Sequence, residues 1–182
     1  MSKKTLLKIF AVLAVVAIAF AAITSFGGKD TVSDSAAGSS ASAGSSASAG
    51  SSASGLPAVT ANAGEAPTIT PPTGTAPATL QTKDIIVGTG AEVKATSTLT
   101  VHYTLMTWSN GALVESSWNG GQPATFPLSG VIVGWQEGLP GAKVGGRRLL
   151  VIPPDKGYGP NGSGPIGPNE TLIFVVDIIG VS

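Results

Sequence analysis

The run Val131-Ile132-Val133-Gly134-Trp135-Gln136-Glu137-Gly138-Leu139 decides how the rest of the chain is arranged. Val131, Trp135 and Leu139 recur every four residues, so on a helix they share one apolar face, with Ile132 beside them. A helix this short, with Gly134 inside and Gly138 and Pro140 closing it, is weak on propensity alone. It must be held by what it packs on, and the partners at hand are apolar runs on either side. The gap between helix and sheet, floored by Trp135, is the expected working site.

Those flanking runs read as strands, because from Leu80 onward the chain alternates with period two and is broken at short intervals by Gly, Asn and Pro. Lys83 to Val87 is a first strand. In a second, Leu99, Val101, Tyr103 and Leu105 share one face and Thr100, His102 and Thr104 the other, which turns Tyr103 inward and His102 outward. Asn110-Gly111 is a hairpin turn, followed by a third strand from Ala112 to Ser116. Ala124 to Leu128 precedes the helix. Arg147 to Ile152 follows it and stops at Pro153-Pro154, and Thr171 to Ile179 sets Leu172, Phe174, Val176 and Ile178 on one face. The pattern predicts a single α+β domain built on a mainly antiparallel sheet.

The N-terminal third has a different composition. Met1 to Lys8 carries three lysines and no acid, and Ile9 to Phe26 is uncharged, the arrangement of an export signal. Its length approaches the roughly 20 residues that span a bilayer. A cleavable leader, with Ala19-Phe20-Ala21 as small-x-small site, and a retained anchor both fit. Ile23 to Gly28 resembles a lipoprotein signal, but Phe26 stands where the lipidated cysteine belongs. Either outcome places the remainder outside the cytoplasm, secreted or held at the outer face of the membrane, with membrane contact only through the leader. Asp34 to Gly55 is almost wholly Ser, Ala and Gly, a flexible tether. Glu65 to Thr79 is a stiffer Pro/Thr stretch in which Pro67 to Thr70 is a candidate edge strand. The expected division is a leader over 1–26, a linker over 27–64 and a folded domain over 65–182.

Charge and motif counts exclude several functions. The net charge is zero, and after Thr82 six basic residues face seven acidic ones, so no nucleic-acid partner is implied. There is no cysteine, hence no disulfide, thiolate metal site or thiol nucleophile. Gly157 to Gly162 matches GxGxxG by letters, yet no strand precedes it and no helix follows, so it is not a dinucleotide loop. His102, the only histidine, reads as a solvated strand residue, and Arg147 and Arg148 as decoration of a strand end. What remains is a set of rings and aliphatic groups: Tyr103, Phe126, Val131, Ile132, Trp135, Tyr158 and Phe174. A packed core would explain them as well as a pocket.

Their order and spacing carry a resemblance. Val101-His102-Tyr103-Thr104, Glu115-Ser116-Ser117, Gly134-Trp135-Gln136-Glu137-Gly138, Ile152-Pro153-Pro154, Tyr158-Gly159 and Thr171-Leu172-Ile173-Phe174 resemble, in sequence order, the FKBP-type peptidyl-prolyl isomerases, and look closest to exported actinobacterial members. The likeness covers about Thr82 to Gly180. It implies a twisted antiparallel sheet wrapped around one short helix, and a proline pocket lined by Tyr103, Phe126, Val131, Ile132, Trp135, Tyr158 and Phe174. Trp135 would be its floor, the Ile132 amide and the Tyr158 hydroxyl the donors to the bound peptide, and Ile166 part of the rim. It further implies X-Pro polypeptides as substrates, a macrolide such as rapamycin as ligand, a monomer, and neither cofactor nor metal.

Three positions depart from the family pattern. Val114 replaces an aromatic wall, Glu115 replaces the usual Asp, and Gly120 stands where an arginine commonly pairs with that acid. Tyr103 is expected still to bond Glu115, but the polar corner loses a partner, which predicts weakened catalysis and weaker macrolide binding. The alternative functions are a proline-binding module of the same fold without useful turnover, and a surface spacer.

Overall fold

A computed structural model of the chain describes residues 55–182. The leader and most of the tether lie outside the described residues. Six strands and one short α-helix form the body: β1 (Gln81–Ile86), β2 (Thr98–Thr107), β3 (Leu113–Ser116), β4 (Ala124–Pro127), α1 (Val133–Gly138), β5 (Arg147–Ile152) and β6 (Leu172–Val181). All pairings are antiparallel, in the order β1-β5-β6-β2-β3, with β4 also on β2. The ten-residue β2 serves two short neighbours in turn: Thr98 to Val101 pair with β4, and Thr104 to Met106 with β3. The Asn110-Gly111 turn forms as expected. Gly111 adopts a left-handed φ of 64°, and the Asn110 Oδ1 accepts bonds from Thr107 Oγ1 at 2.6 Å and the Ala112 amide at 2.9 Å.

One face of the sheet packs on the helix. Leu99, Val101, Tyr103 and Leu105 from β2, Leu150 and Ile152 from β5, and Leu172, Phe174, Val176 and Ile178 from β6 join Trp135 and Leu139 in a single apolar cluster. The helix is shorter than the four-residue spacing suggested. Ile132 is extended (φ −62°, ψ 153°) and caps it, and Leu128–Gly130 forms a separate 3₁₀ turn. Val131 consequently reaches the core from a loop, while Val133 is exposed.

The glycines that weaken the helix on propensity are the ones that let it approach the sheet. A Cβ at Gly134 would collide with the Ile152 side chain, and one at Gly138 would lie 2.5 Å from Leu150 Cδ2. Ile152 and Leu150 are fully buried and have nowhere to move. Gly134→Ala should therefore destabilise the domain by about 1–3 kcal/mol through overpacking, outweighing the up to about 1 kcal/mol of helix propensity gained. Urea unfolding checks this, and a variant as stable as the parent would show that the helix has room to lift.

The opposite face of the sheet is covered too. Met106, Leu149, Val151, Ile173 and Val175 form a second cluster with Trp108 and Ile69, and Leu56, Val59, Ala76 and Ile85 pack against it. Residues 56–76 thus run as a strap across the outer face. The candidate strand at Pro67 to Thr70 does not join the sheet: Ile69 pairs only with Val59 of the strap itself. Residues 56–64, expected as the end of a disordered linker, belong to this packed segment, because Val59 folds back on Ile69 and the Thr60 carbonyl is bonded to the body.

The strap is fastened by polar bonds as well. Trp108 Nε1 donates to the Gly74 carbonyl at 3.2 Å. Arg147 does not decorate a strand end. It is fully buried, donates through Nε to both Asp177 oxygens at 2.9 and 3.1 Å, and reaches the carbonyls of Thr60 (2.9 Å) and Glu65 (2.6 Å) through its two terminal nitrogens. Arg148 pairs instead with Asp84 at the sheet edge, at 2.6 Å.

Candidate active site

Between α1 and the concave face of the sheet lies a hollow of about 280 Å³, counting its open mouth, lined by Tyr103, Phe126, Val131, Ile132, Trp135, Tyr158 and Phe174. Those are the seven residues that the motifs assemble in the sequence. β2 supplies Tyr103, β4 Phe126, β6 Phe174, the cap and first turn of α1 Ile132 and Trp135, and the loop after β5 Tyr158.

The rings form one interlocked group. Trp135 meets Tyr103, Phe126 and Phe174 edge to face, with centroids 5.9, 6.1 and 5.3 Å apart and interplanar angles of 79°, 87° and 86°. Tyr103 and Phe126 are also edge to face at 6.1 Å. Edge-to-face contacts at these distances are attractive and fix each ring against its neighbours, so the hollow keeps its shape when empty.

Polar groups are few and specific. The Ile132 amide has no acceptor among the described residues, while the Ile132 carbonyl already accepts from the amides of Trp135 (3.0 Å) and Gln136 (3.2 Å). Gln136 also donates from Nε2 to the Val131 carbonyl at 2.7 Å, which pins the loop that presents the Ile132 amide. That positioning contact was missed from sequence, although the i, i+5 spacing next to a helix cap is its signal. The Trp135 Nε1 is buried with no partner among the described residues. The Tyr158 hydroxyl likewise makes no hydrogen bond within them. Burial, and then the charge of Glu115, push the Tyr158 phenol up to about 12, so it remains a donor throughout the physiological range.

At the corner of the hollow Tyr103 donates its hydroxyl to Glu115 Oε1, as expected. Burial above all, then this bond to Glu115, raises the Tyr103 phenol well above its ordinary value. Glu115 itself is half-buried and, with Val114, stands behind the lining rather than in it. Ile166 departs further from its expected place on the rim. It is buried in the main cluster, where its loop is closed by reciprocal backbone bonds with Ser163 at 2.9 and 3.0 Å.

His102 also differs from its solvated reading. Its ring stacks on Trp118 at 4.1 Å, its Nδ1 lies 3.0 Å from Ser117 Oγ, and it sits directly across the ladder from Asp177. The pairing register brings it to a carboxylate that sequence distance concealed. It lies on the face away from the hollow.

Comparison with known proteins agrees with this geometry. Residues 90–179 match the FKBP-type peptidyl-prolyl cis-trans isomerase family. A Corynebacterium glutamicum protein named "Probable FK506-binding protein" is 50% identical over 115 residues, covering 63% of this chain and 98% of the relative. An FK506-binding protein of Streptomyces anulatus is 46% identical over 121 residues, 64% of this chain and 98% of that one. Among solved structures, FkpA from Escherichia coli superposes with a TM-score of 0.54 at 39% identity, covering 57% of this chain and 48% of that one. Fold and hollow together place the described body among the small α+β domains that enclose an aromatic pocket between one short helix and an antiparallel sheet. The chain belongs to the FKBP-type peptidyl-prolyl cis-trans isomerases, and its actinobacterial likeness is borne out.

Proposed function

We propose that the protein accelerates X-Pro isomerisation in exported or envelope polypeptides, with the aromatic hollow as its site and no cofactor. The observation that carries this reading is an apolar hollow lined by interlocked rings around Trp135, where the Ile132 amide and the Tyr158 hydroxyl are donors without an acceptor among the described residues. Rotation about X-Pro passes through a twisted amide that has lost its resonance, a barrier of about 18–20 kcal/mol. No bond is cleaved and no proton is transferred. An apolar wall disfavours the planar, more polar amide relative to the twisted one, and donors that grip the flanking carbonyls hold the chain in the conformation where the twist occurs. Each effect has only to supply a few kcal/mol, since 1.36 kcal/mol is tenfold in rate.

The Ile132 amide and Tyr158 hydroxyl act as donors in this reading, Tyr103, Phe126, Val131, Trp135 and Phe174 form the walls, and Glu115 orients Tyr103. An extracytoplasmic location is the reading of the basic-apolar N-terminus, and one relative, from Legionella longbeachae, is named an outer membrane protein. Macrolides such as the FK506 in the relatives' names would occupy the same hollow.

The test is isomerisation of a peptide with an apolar residue before proline, using the full-length chain. Acceleration above the buffer rate is expected. A rate equal to buffer with retained ligand affinity would instead select a binding module, the reading that Val114, Glu115 and Gly120 favour. If those departures limit the rate, Val114→Phe with Glu115→Asp raises kcat/KM, and no gain removes them as the cause. Tyr158→Phe should weaken ligand binding by about 2- to 12-fold, the loss of one hydrogen bond of roughly 0.5–1.5 kcal/mol, with an unchanged fold. Calorimetric titration checks it, and unaltered affinity would show that the hydroxyl does not reach the ligand.

A further inference from the structure

Behind the lining of the hollow sits a carboxylate that no cation among the described residues neutralises. Glu115 lies on β3 opposite Leu105, and its side chain reaches the Tyr103 hydroxyl at the inner corner of the site. Its one hydrogen-bond partner among the described residues is that neutral hydroxyl, bonded to Oε1, while Oε2 has no donor among them and is open to solvent. The cations of the neighbouring elements are engaged elsewhere. Arg147 is bound to Asp177 on the outer face, Arg148 to Asp84, and Lys156 to Glu137 at 2.7 Å. Gly120, on the 3₁₀ turn that follows Glu115, offers no side chain, and the space beside it is open.

Burial first, and then the Glu115 charge, raise both the Tyr103 and the Tyr158 phenols, so the carboxylate lies close enough to bear on both rings. The lining itself is apolar, and the half-buried Glu115 carboxylate behind it is only partly screened by water. A prolyl segment entering the site meets rings that are indifferent to its flanks, with one acid close behind them that is not.

We propose that Glu115 makes this site selective for prolyl segments that carry Lys or Arg within one or two residues of the proline. The inference rests on the isomerase reading of the hollow and narrows its substrate class. The cation on the substrate takes the place of the partner that the described residues do not provide, and the selectivity weakens as salt rises.

The experiment compares kcat/KM of the full-length chain on three peptides identical except for one residue beside the X-Pro pair: Lys, Gln or Glu. At low salt the Lys peptide should exceed the Glu peptide by about five- to tenfold, with Gln between them. Glu115→Gln, which keeps an acceptor for Tyr103 but no charge, should bring the ratio close to one, and Glu115→Asp should preserve it. Reading the ratio within each variant separates selectivity from any change in overall rate. Turnover of the Gln peptide with equal Lys and Glu rates would overturn the selectivity and leave the isomerase reading standing. A ratio unchanged in Glu115→Gln would overturn the assignment to Glu115. No acceleration of any peptide would end both readings.

Discussion

Asp177→Ala should lower the folding free energy by about 3–5 kcal/mol, the usual consequence of leaving one member of a buried ion pair alone. Arg147 is completely shielded from solvent, and its guanidinium is divided between the Asp177 carboxylate and two strap carbonyls. Burial raises the Asp177 carboxyl above its ordinary value even though Arg147 pulls it down. Taking this acid out of water thus outweighs what the arginine returns, so the pair adds little net stability while its rupture is expensive. With a domain of this size stable by about 5–15 kcal/mol, the loss is a large share. Deleting the strap, with the chain beginning at Leu80, should act through the same centre by removing the Thr60 and Glu65 carbonyls and uncovering Leu149, Val151, Ile173 and Val175. Because both changes strike Arg147, their combined effect should be less than additive. Urea unfolding of the three variants measures this. A loss below about 1 kcal/mol for Asp177→Ala would mean that water reaches Arg147.

Trp135→Leu should cut kcat/KM by about 10- to 100-fold, the equivalent of roughly 1.4–2.7 kcal/mol of transition-state stabilisation. Three rings lean on the indole edge to face, and its removal frees all of them while deleting the floor on which a prolyl ring would rest. A leucine keeps the site apolar but leaves a cavity, so a stability loss of about 2–4 kcal/mol is expected alongside. Measuring rates well below the variant's unfolding temperature separates the two effects. Activity within twofold of the parent, on a folded variant, would show that the walls suffice without the indole.

The concave half of the molecule was legible because its signals are local or periodic. Tyr103 sits on an alternating strand, Phe174 shares one face with Leu172, Val176 and Ile178, and Trp135 sits between two glycines that let the helix pack closely on Ile152 and Leu150. The convex half was not read, although Leu149-Leu150-Val151-Ile152 and Leu172 to Val176 are continuous apolar runs, the mark of strands buried on both faces. Such a sheet needs a second cover, and the cover is a Pro-containing strap with no periodicity of its own. Its attachment through Arg147 joins residues more than eighty positions apart, beyond the reach of any spacing rule. The surroundings of His102 are hidden for the same reason: Asp177 faces it only through the β2–β6 register. Ile166 lies in a loop without alternation, so nothing in the sequence showed that it turns inward.

The most direct test of the central claim, that the ring-lined hollow eases a prolyl amide out of plane, is the cis-to-trans relaxation rate of an apolar-residue-Pro peptide with and without the full-length chain. The account predicts relaxation that quickens in proportion to protein concentration and returns to the buffer rate when a macrolide fills the hollow. Relaxation at the buffer rate in the presence of folded protein, or acceleration that a bound macrolide leaves untouched, would contradict it.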